Sequence, residues 1–214
     1  MSKIIIAIPR GRIIGELKKI LMRTTFAPEA EMFDEKSRKL TFLSKNKDVN
    51  FIKVRAFDAC TFVAFGAAQI GIAGEDVIKE FDYSEIYAPL ELNIGHCRLS
   101  VAALKTLLKK EDPETWSNIR VATKYPNLTR DFLFSKGVTQ FKIVGSLGAT
   151  EAYPFTGSSE IITDITSTGE TLSANNLRVL KDGLILKSEA CMMRSKSAPK
   201  SSILNKIVKL LSKN

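Results

Sequence analysis

Short apolar runs alternating with stretches of helical periodicity constrain this chain more than any other feature. Ile4-Ile5-Ile6-Ala7-Ile8 opens the pattern, and Ile13, Ile14, Leu17, Ile20 and Leu21 follow at helical spacing. Strands are expected at 39–43, 51–54, 69–73, 99–103, 120–123, 141–144 and 161–164. Helices are expected at 58–65 and 127–135 and from about residue 170, with Asp58 and Asn127 as N-caps and Lys136-Gly137 as a stop signal. Lys181-Asp182-Gly183 reads as a hairpin turn that returns a strand over 184–193. Ile203, Leu204, Ile207, Val208 and Leu211 mark a closing basic amphipathic helix. The order predicts an α/β fold in two lobes, residues 1–91 with 184–214 and residues 92–183, with a central cleft between them.

Of 214 residues, 44% are hydrophobic and 26% charged, the balance of a globular protein. No apolar run approaches the roughly 18 residues of a membrane span. Pro9-Arg10-Gly11-Arg12 cuts the first run short of a signal peptide, so a cytoplasmic protein without membrane contact is expected. Cys60, Cys97 and Cys191 have no CxxC spacing, which argues against disulfides and zinc. His96 is the sole histidine, which removes His-dependent triads and two-histidine metal sites. A net charge of +9 fits nucleic-acid binding, attraction of small polyanions or plain solubility. The chain has no nucleic-acid recognition motif, so nucleic acid is not an expected partner. Trp116 reads as a structural anchor.

The strongest local signal is Ile161-Ile162-Thr163-Asp164-Ile165-Thr166-Ser167-Thr168-Gly169-Glu170-Thr171-Leu172. An apolar strand delivers an acid, then hydroxyls and a glycine, at the start of a helix. Outward N–H groups at a helix N-terminus attract anions, Ser167, Thr168 and Thr171 add hydroxyl donors, and Gly169 permits close backbone approach. Asp164 suits ribose hydroxyls, and the whole segment suits a sugar 5-phosphate. A simple Ser/Thr helix cap is the competing reading.

Other strand-to-helix junctions carry charge where α/β proteins place ligands. Arg10-Gly11-Arg12 suits a triphosphate or reads as a solvated basic turn. Arg55, Asp76 and Lys124 stand at three more junctions, each equally readable as a surface charge or cap.

In order, these segments resemble ATP phosphoribosyltransferase, the first enzyme of histidine biosynthesis. The matches are Ile6-Ala7-Ile8-Pro9-Arg10-Gly11-Arg12, Val54-Arg55 with Asp58, and Gly66-Ala67-Ala68-Gln69-Ile70-Gly71-Ile72-Ala73-Gly74-Glu75-Asp76-Val77. Cys97-Arg98-Leu99, Arg120-Val121-Ala122-Thr123-Lys124-Tyr125-Pro126-Asn127-Leu128 and the loop from Asp164 through Ala174-Asn175 complete the set. Departures are Arg10 where the family usually has lysine, Ala56-Phe57 for Pro-Ser, and Cys60 for proline. Gly148-Ala149-Thr150-Glu151 is similar to one subgroup.

The resemblance implies a type II periplasmic-binding-protein-like fold and transfer of phosphoribosyl from phosphoribosyl pyrophosphate to N1 of ATP, with Mg²⁺. It assigns Asp164, Thr166, Ser167, Thr168, Gly169, Glu170, Thr171 and Leu172 to phosphoribosyl pyrophosphate. Arg10, Gly11, Arg12, Arg55, Asp76 and Lys124 go to ATP or pyrophosphate, with Arg55 and Asp164 catalytic. At this length the match is to the short form. That form implies dimers within a hetero-oligomer, completed by a regulatory subunit similar to histidyl-tRNA synthetase. A non-catalytic two-lobed binding or sensing protein for a phosphorylated ligand is the alternative.

Overall fold

The computed structural model describes residues 3–107, 117–198 and 201–212, so Trp116 lies outside the described residues. The chain divides into two compact units, Met1–His96 with Glu189–Asn214, and Cys97–Ser188. The crossings therefore lie at 96/97 and 188/189, against the expected 91/92 and 183/184.

In the first unit, β1 (Ile4–Pro9) is buried almost throughout because parallel neighbours flank it on both sides. These neighbours are β3 (Val49–Val54) and β4 (Ile70–Gly74), and the six-stranded order is β2-β3-β1-β4-β11-β5. β2 (Thr41–Leu43) pairs antiparallel with β3, and β11 (Ala190–Ser195) pairs antiparallel with β4 and with β5 (Ile86–Glu91). Helix α1 (Arg12–Leu21) buries Ile14, Leu17, Ile20 and Leu21, and α6 (Ser202–Leu211) buries Leu204, Ile207 and Leu211 in the same core. Ser201 caps α6, its Oγ accepting the Ile203 N–H at 3.3 Å. Helices α2 (Ala56–Ala64) and α3 (Glu75–Phe81) complete the unit.

The second unit holds a five-stranded sheet in the order β10-β6-β9-β7-β8. Its strands are β6 (Cys97–Leu104), β7 (Ile119–Thr123), β8 (Phe141–Gly145), β9 (Ile161–Thr166) and β10 (Leu177–Ser188). β7 lies parallel to β8 and β9, whereas β6 runs antiparallel to β9 and β10. Helix α4 (Pro126–Ser135) covers one face, and the short α5 (Glu170–Ala174) packs Leu172 on the other.

Four sequence expectations are corrected. Lys181-Asp182-Gly183 is no hairpin turn: β10 runs through it, with a register shift between Val179 and Leu184. A Cβ at Gly183 would lie 2.8 Å from the Val101 carbonyl oxygen, so the glycine permits close strand approach rather than reversal. The return to the first sheet is β11. Helix α2 starts at Ala56 with Arg55 at the N-cap, leaving Asp58 as a first-turn acid. Helix α4 starts at Pro126, whose fixed φ suits the first helical position, so Tyr125 and not Asn127 is the N-cap. β5 was not among the expected strands; it lies at the sheet edge, where its Pro89 is tolerated.

Candidate active site

In the second unit the chain leaves β7 for β8 on one side, then crosses to β9 on the other. Strand order therefore reverses beside the C-terminal ends of β7 and β9, where α/β sheets open a crevice. Lys124 follows β7 there, and Asp164 and Thr166 end β9. Asp164 is half-buried, and its Oδ1 accepts the Ile165 N–H at 2.8 Å. Burial pushes this carboxyl above the ordinary range, against the pull of the Ile165 N–H, the Lys124 charge and the Thr150 hydroxyl; Glu151 adds to the upward push.

Buried hydroxyls brace this edge. Ser146 N–H donates to the Thr123 carbonyl at 2.9 Å, and Ser146 Oγ lies 3.0 Å from Thr150 Oγ1. Thr123 Oγ1 accepts the Tyr125 N–H at 2.9 Å. Beyond β9, Thr166 Oγ1 accepts the Gly169 N–H at 2.9 Å and Thr168 Oγ1 the Glu170 N–H at 3.4 Å. Gly169 has φ +83°, which a side chain resists, and stands at the N-cap of α5. Ser167, Thr168, Glu170 and Thr171 are exposed, whereas Leu172 is buried with Ile162 and Leu177 as the loop's anchor. With only five residues, α5 adds little dipole, so loop hydroxyls and N–H groups form the anion-attracting surface.

The first unit repeats the reversal around β1, with β3 on one side and β4 on the other. Arg10 and Gly11 follow β1 and help line a pocket of about 290 Å³ with Ile14, Phe33, Glu35 and Lys53. Lys53 is buried; its Nζ donates to the carbonyls of Met32 and Asp34, each at 3.0 Å, and lies 5.3 Å from the Phe42 ring centre. Arg12 points elsewhere, donating to the His96 carbonyl at 2.9 Å. Arg55 is exposed at the α2 N-cap, and Asp76 is buried in the first turn of α3. Burial, with the Asp76 charge adding to it, pushes the Cys60 thiol up to about 12, and burial does the same to Cys191. Cys60, Cys97 and Cys191 are buried thiols, and no disulfide forms among the described residues.

The HisG family model, ATP phosphoribosyltransferase, matches residues 55–213. The ATP phosphoribosyltransferase of Rhizorhabdus wittichii is 50% identical over 176 residues, 82% of this chain and 79% of the relative. The chain belongs to the ATP phosphoribosyltransferase family.

Among solved structures, the ATP phosphoribosyl transferase (HisG:HisZ) complex from Thermotoga maritima contains a chain similar at TM-score 0.77 and 28% identity, covering 99% of this chain and 100% of that one. A probable amino-acid ABC transporter extracellular-binding protein from Bacillus subtilis matches at TM-score 0.58 and 12% identity, covering 100% and 92%. This second likeness is one of fold, and the fold is type II periplasmic-binding-protein-like. Of the side chains beside these candidates, Thr150 and Glu151 entered the sequence reading only within a matching segment, and Lys53 had no role there. Lys53 had a signal: Val49, Phe51 and Lys53 alternate on the buried face of β3.

Proposed function

We propose that this chain is the catalytic subunit that joins the phosphoribosyl group of phosphoribosyl pyrophosphate to N1 of ATP, opening histidine biosynthesis in the cytoplasm. Adenine N1 attacks C1 of the ribose; the N1–C1 bond forms and the C1–O bond to pyrophosphate breaks with inversion, the electron pair leaving on pyrophosphate. The non-catalytic binding reading is not favoured, since the family is enzymatic.

Thr166, Ser167, Thr168, Gly169, Glu170 and Thr171 surround the 5-phosphate, Leu172 anchors the loop, and Asp164 with Glu151 takes the ribose hydroxyls. The observation that carries this reading is the half-buried Asp164, which feels the charges of Lys124 and Glu151, at the head of the closed hydroxyl loop. Arg10, Gly11 and Lys53 form the ATP side, and Arg55 and Lys124 offset charge on the departing pyrophosphate. Fixed positive charge aimed at that group stabilises the transition state more than the ground state. Asp76, buried in α3, supports the junction after β4.

Among the described residues, no group of three or more His, Cys, Asp or Glu side chains is arranged to hold a metal. Mg²⁺ therefore arrives mainly on substrate phosphates, its usual mode, with Asp164 and Glu151 as the carboxylates suited to it. A regulatory partner of the HisZ kind, and dimers within the hetero-oligomer, complete the assembly.

The test is to incubate the protein with ATP, phosphoribosyl pyrophosphate and Mg²⁺, with and without such a partner. N1-(5-phosphoribosyl)-ATP and pyrophosphate should appear in equal amounts. Absence of both products under either condition overturns the reading.

A further inference from the structure

Strand β6 opens with Cys97-Arg98-Leu99, and the register of the second sheet fixes which face Arg98 occupies. Ala102 pairs with Ile162, Ser100 with Asp164 and Arg98 with Thr166 across the β6–β9 ladder. Alternation along each strand puts these six side chains on one face. It is the face that α5 covers, because Ala102 and Ile162 are buried there with Leu172. Arg98 therefore stands directly across from the residue whose hydroxyl closes the loop, where opposed Cβ atoms lie about 5 Å apart. On its other side Arg98 pairs with Lys187 of β10, which shares the face.

The loop itself lacks positive charge. From Asp164 to Leu177 the chain carries two acids, Asp164 and Glu170, and no lysine or arginine. Hydroxyls and N–H groups hydrogen-bond a phosphate dianion without balancing its charge, and the five-residue α5 adds little dipole. The neighbouring strands carry the opposite imbalance. Arg98 and Lys187 are both exposed and directly opposed, an arrangement that costs a sheet stability through repulsion between equal charges. Among the described residues neither makes an ion pair that would offset it. A dianion seated in the loop would take its countercharge from this pair and relieve the repulsion between them.

We propose that Arg98 is a further binding residue for the 5-phosphate of phosphoribosyl pyrophosphate, with Lys187 beside it as a weaker second cation. The proposal rests on the reading of the Asp164–Leu172 loop as the phosphoribosyl site. A guanidinium suits the task, since two parallel N–H donors match two phosphate oxygens, whereas the lysine acts as a point charge. The pyrophosphate end stays with Arg55 and Lys124.

The experiment is calorimetric titration of wild type, Arg98→Met, Arg98→Lys and Lys187→Met with phosphoribosyl pyrophosphate, with ribose 5-phosphate and with ATP. Ribose 5-phosphate carries the 5-phosphate without the pyrophosphate, so it isolates one end of the substrate. Thermal melting of each protein without ligand is recorded in parallel. Arg98→Met should weaken ribose 5-phosphate and phosphoribosyl pyrophosphate by a similar factor of about tenfold or more, with ATP affinity within twofold of wild type. Arg98→Lys, which keeps the charge and loses the fork, should fall between wild type and Arg98→Met. Lys187→Met should weaken both sugar phosphates about two- to fivefold. Without ligand, Arg98→Met and Lys187→Met should melt at or above wild type, because each removes the repulsion. If wild type does not bind phosphoribosyl pyrophosphate, the reading of the loop fails and the proposal with it. If wild type binds it and Arg98→Met binds it equally well, the proposal alone fails. If the loss in Arg98→Met is confined to phosphoribosyl pyrophosphate and spares ribose 5-phosphate, Arg98 serves the pyrophosphate and the assignment is overturned. It is also overturned if Arg98→Met melts well below wild type and Arg98→Lys regains no binding, since Arg98 is then a structural residue.

Discussion

Thr166 Oγ1 accepts the Gly169 N–H at 2.9 Å, and this one bond closes the loop between β9 and α5. The loop draws its shape from local devices, among them that hydroxyl, the left-handed glycine it holds and the Thr168 Oγ1 that accepts the Glu170 N–H. These are set before any phosphate arrives, so the ordering entropy is spent in folding and not in binding.

Thr166→Val keeps the volume and removes the acceptor. One net hydrogen bond is worth about 0.5–1.5 kcal/mol, so KM for phosphoribosyl pyrophosphate should rise roughly 2- to 12-fold, with KM for ATP unchanged. Thr166→Ser should recover most of the loss. Equal effects on both substrates in initial-rate kinetics would show that the hydroxyl does not shape this loop alone.

Asp164→Asn separates stability from activity. Burial raises the folded-state carboxyl pKa, so the folded protein holds that proton more tightly than the unfolded chain does. Wild-type stability attributable to this group is therefore highest at low pH, and is lost as pH rises from the ordinary value of 3.8 through the folded value. The Asn variant carries no such charge and should melt above wild type at pH 7, the gap closing on acidification. Its kcat/KM should fall on the order of 100-fold, from losing charge-assisted bonds to ribose of about 1.5–3 kcal/mol each. A variant that melts below wild type at pH 7 contradicts the desolvation account.

The parts legible in the sequence are those fixed by neighbours along the chain. Ile161-Ile162 marks β9, and the acid, hydroxyls and Gly169 after it mark the loop, because cap and turn chemistry is local. Lys53 was not recognised, since its partners are the carbonyls of Met32 and Asp34, 21 and 19 residues away. Thr150 and Glu151 reach Asp164 only once β9 lies beside β7 and the 3₁₀ turn at Thr150–Ala152 packs against that edge. Gly183 misled because a glycine in a strand has two readings, turn or close approach, and the Val101 carbonyl that decides between them is remote in sequence.

Lys53→Met tests the pocket wall. Methionine fills the space beside Phe42 but leaves the Met32 and Asp34 carbonyls without their donor, a cost of about 1–3 kcal/mol for buried groups. The 3₁₀ turn Ala30–Phe33 should loosen, and the chemical-denaturation midpoint should fall. In kinetics, KM for ATP should rise several-fold while KM for phosphoribosyl pyrophosphate holds. A selective rise in the latter would reassign the pocket.

Glu160→Gln is the matching control at the far end of β9. Glu160 pairs with the Arg120 guanidinium and accepts the Arg120 backbone N–H at 2.6 Å. The Arg120 side-chain bond holds the Glu160 carboxyl below its ordinary 4.5, so its contribution is present above that value and is lost as pH falls through the folded value. The Glu160 side chain is 36% exposed, and solvent screening keeps the contribution of the pair small. The variant should therefore melt slightly below wild type at pH 7, less so in 1 M salt, and match it once the pH has fallen below the folded value. Because β9 carries its residues about 3.3 Å apart, the loop after Thr166 lies roughly 20 Å away, and kcat and both KM values should stay within twofold of wild type. A tenfold loss of kcat in a folded Glu160→Gln protein would mean that the two ends of β9 are coupled, and the loop could then not be treated as a locally closed site.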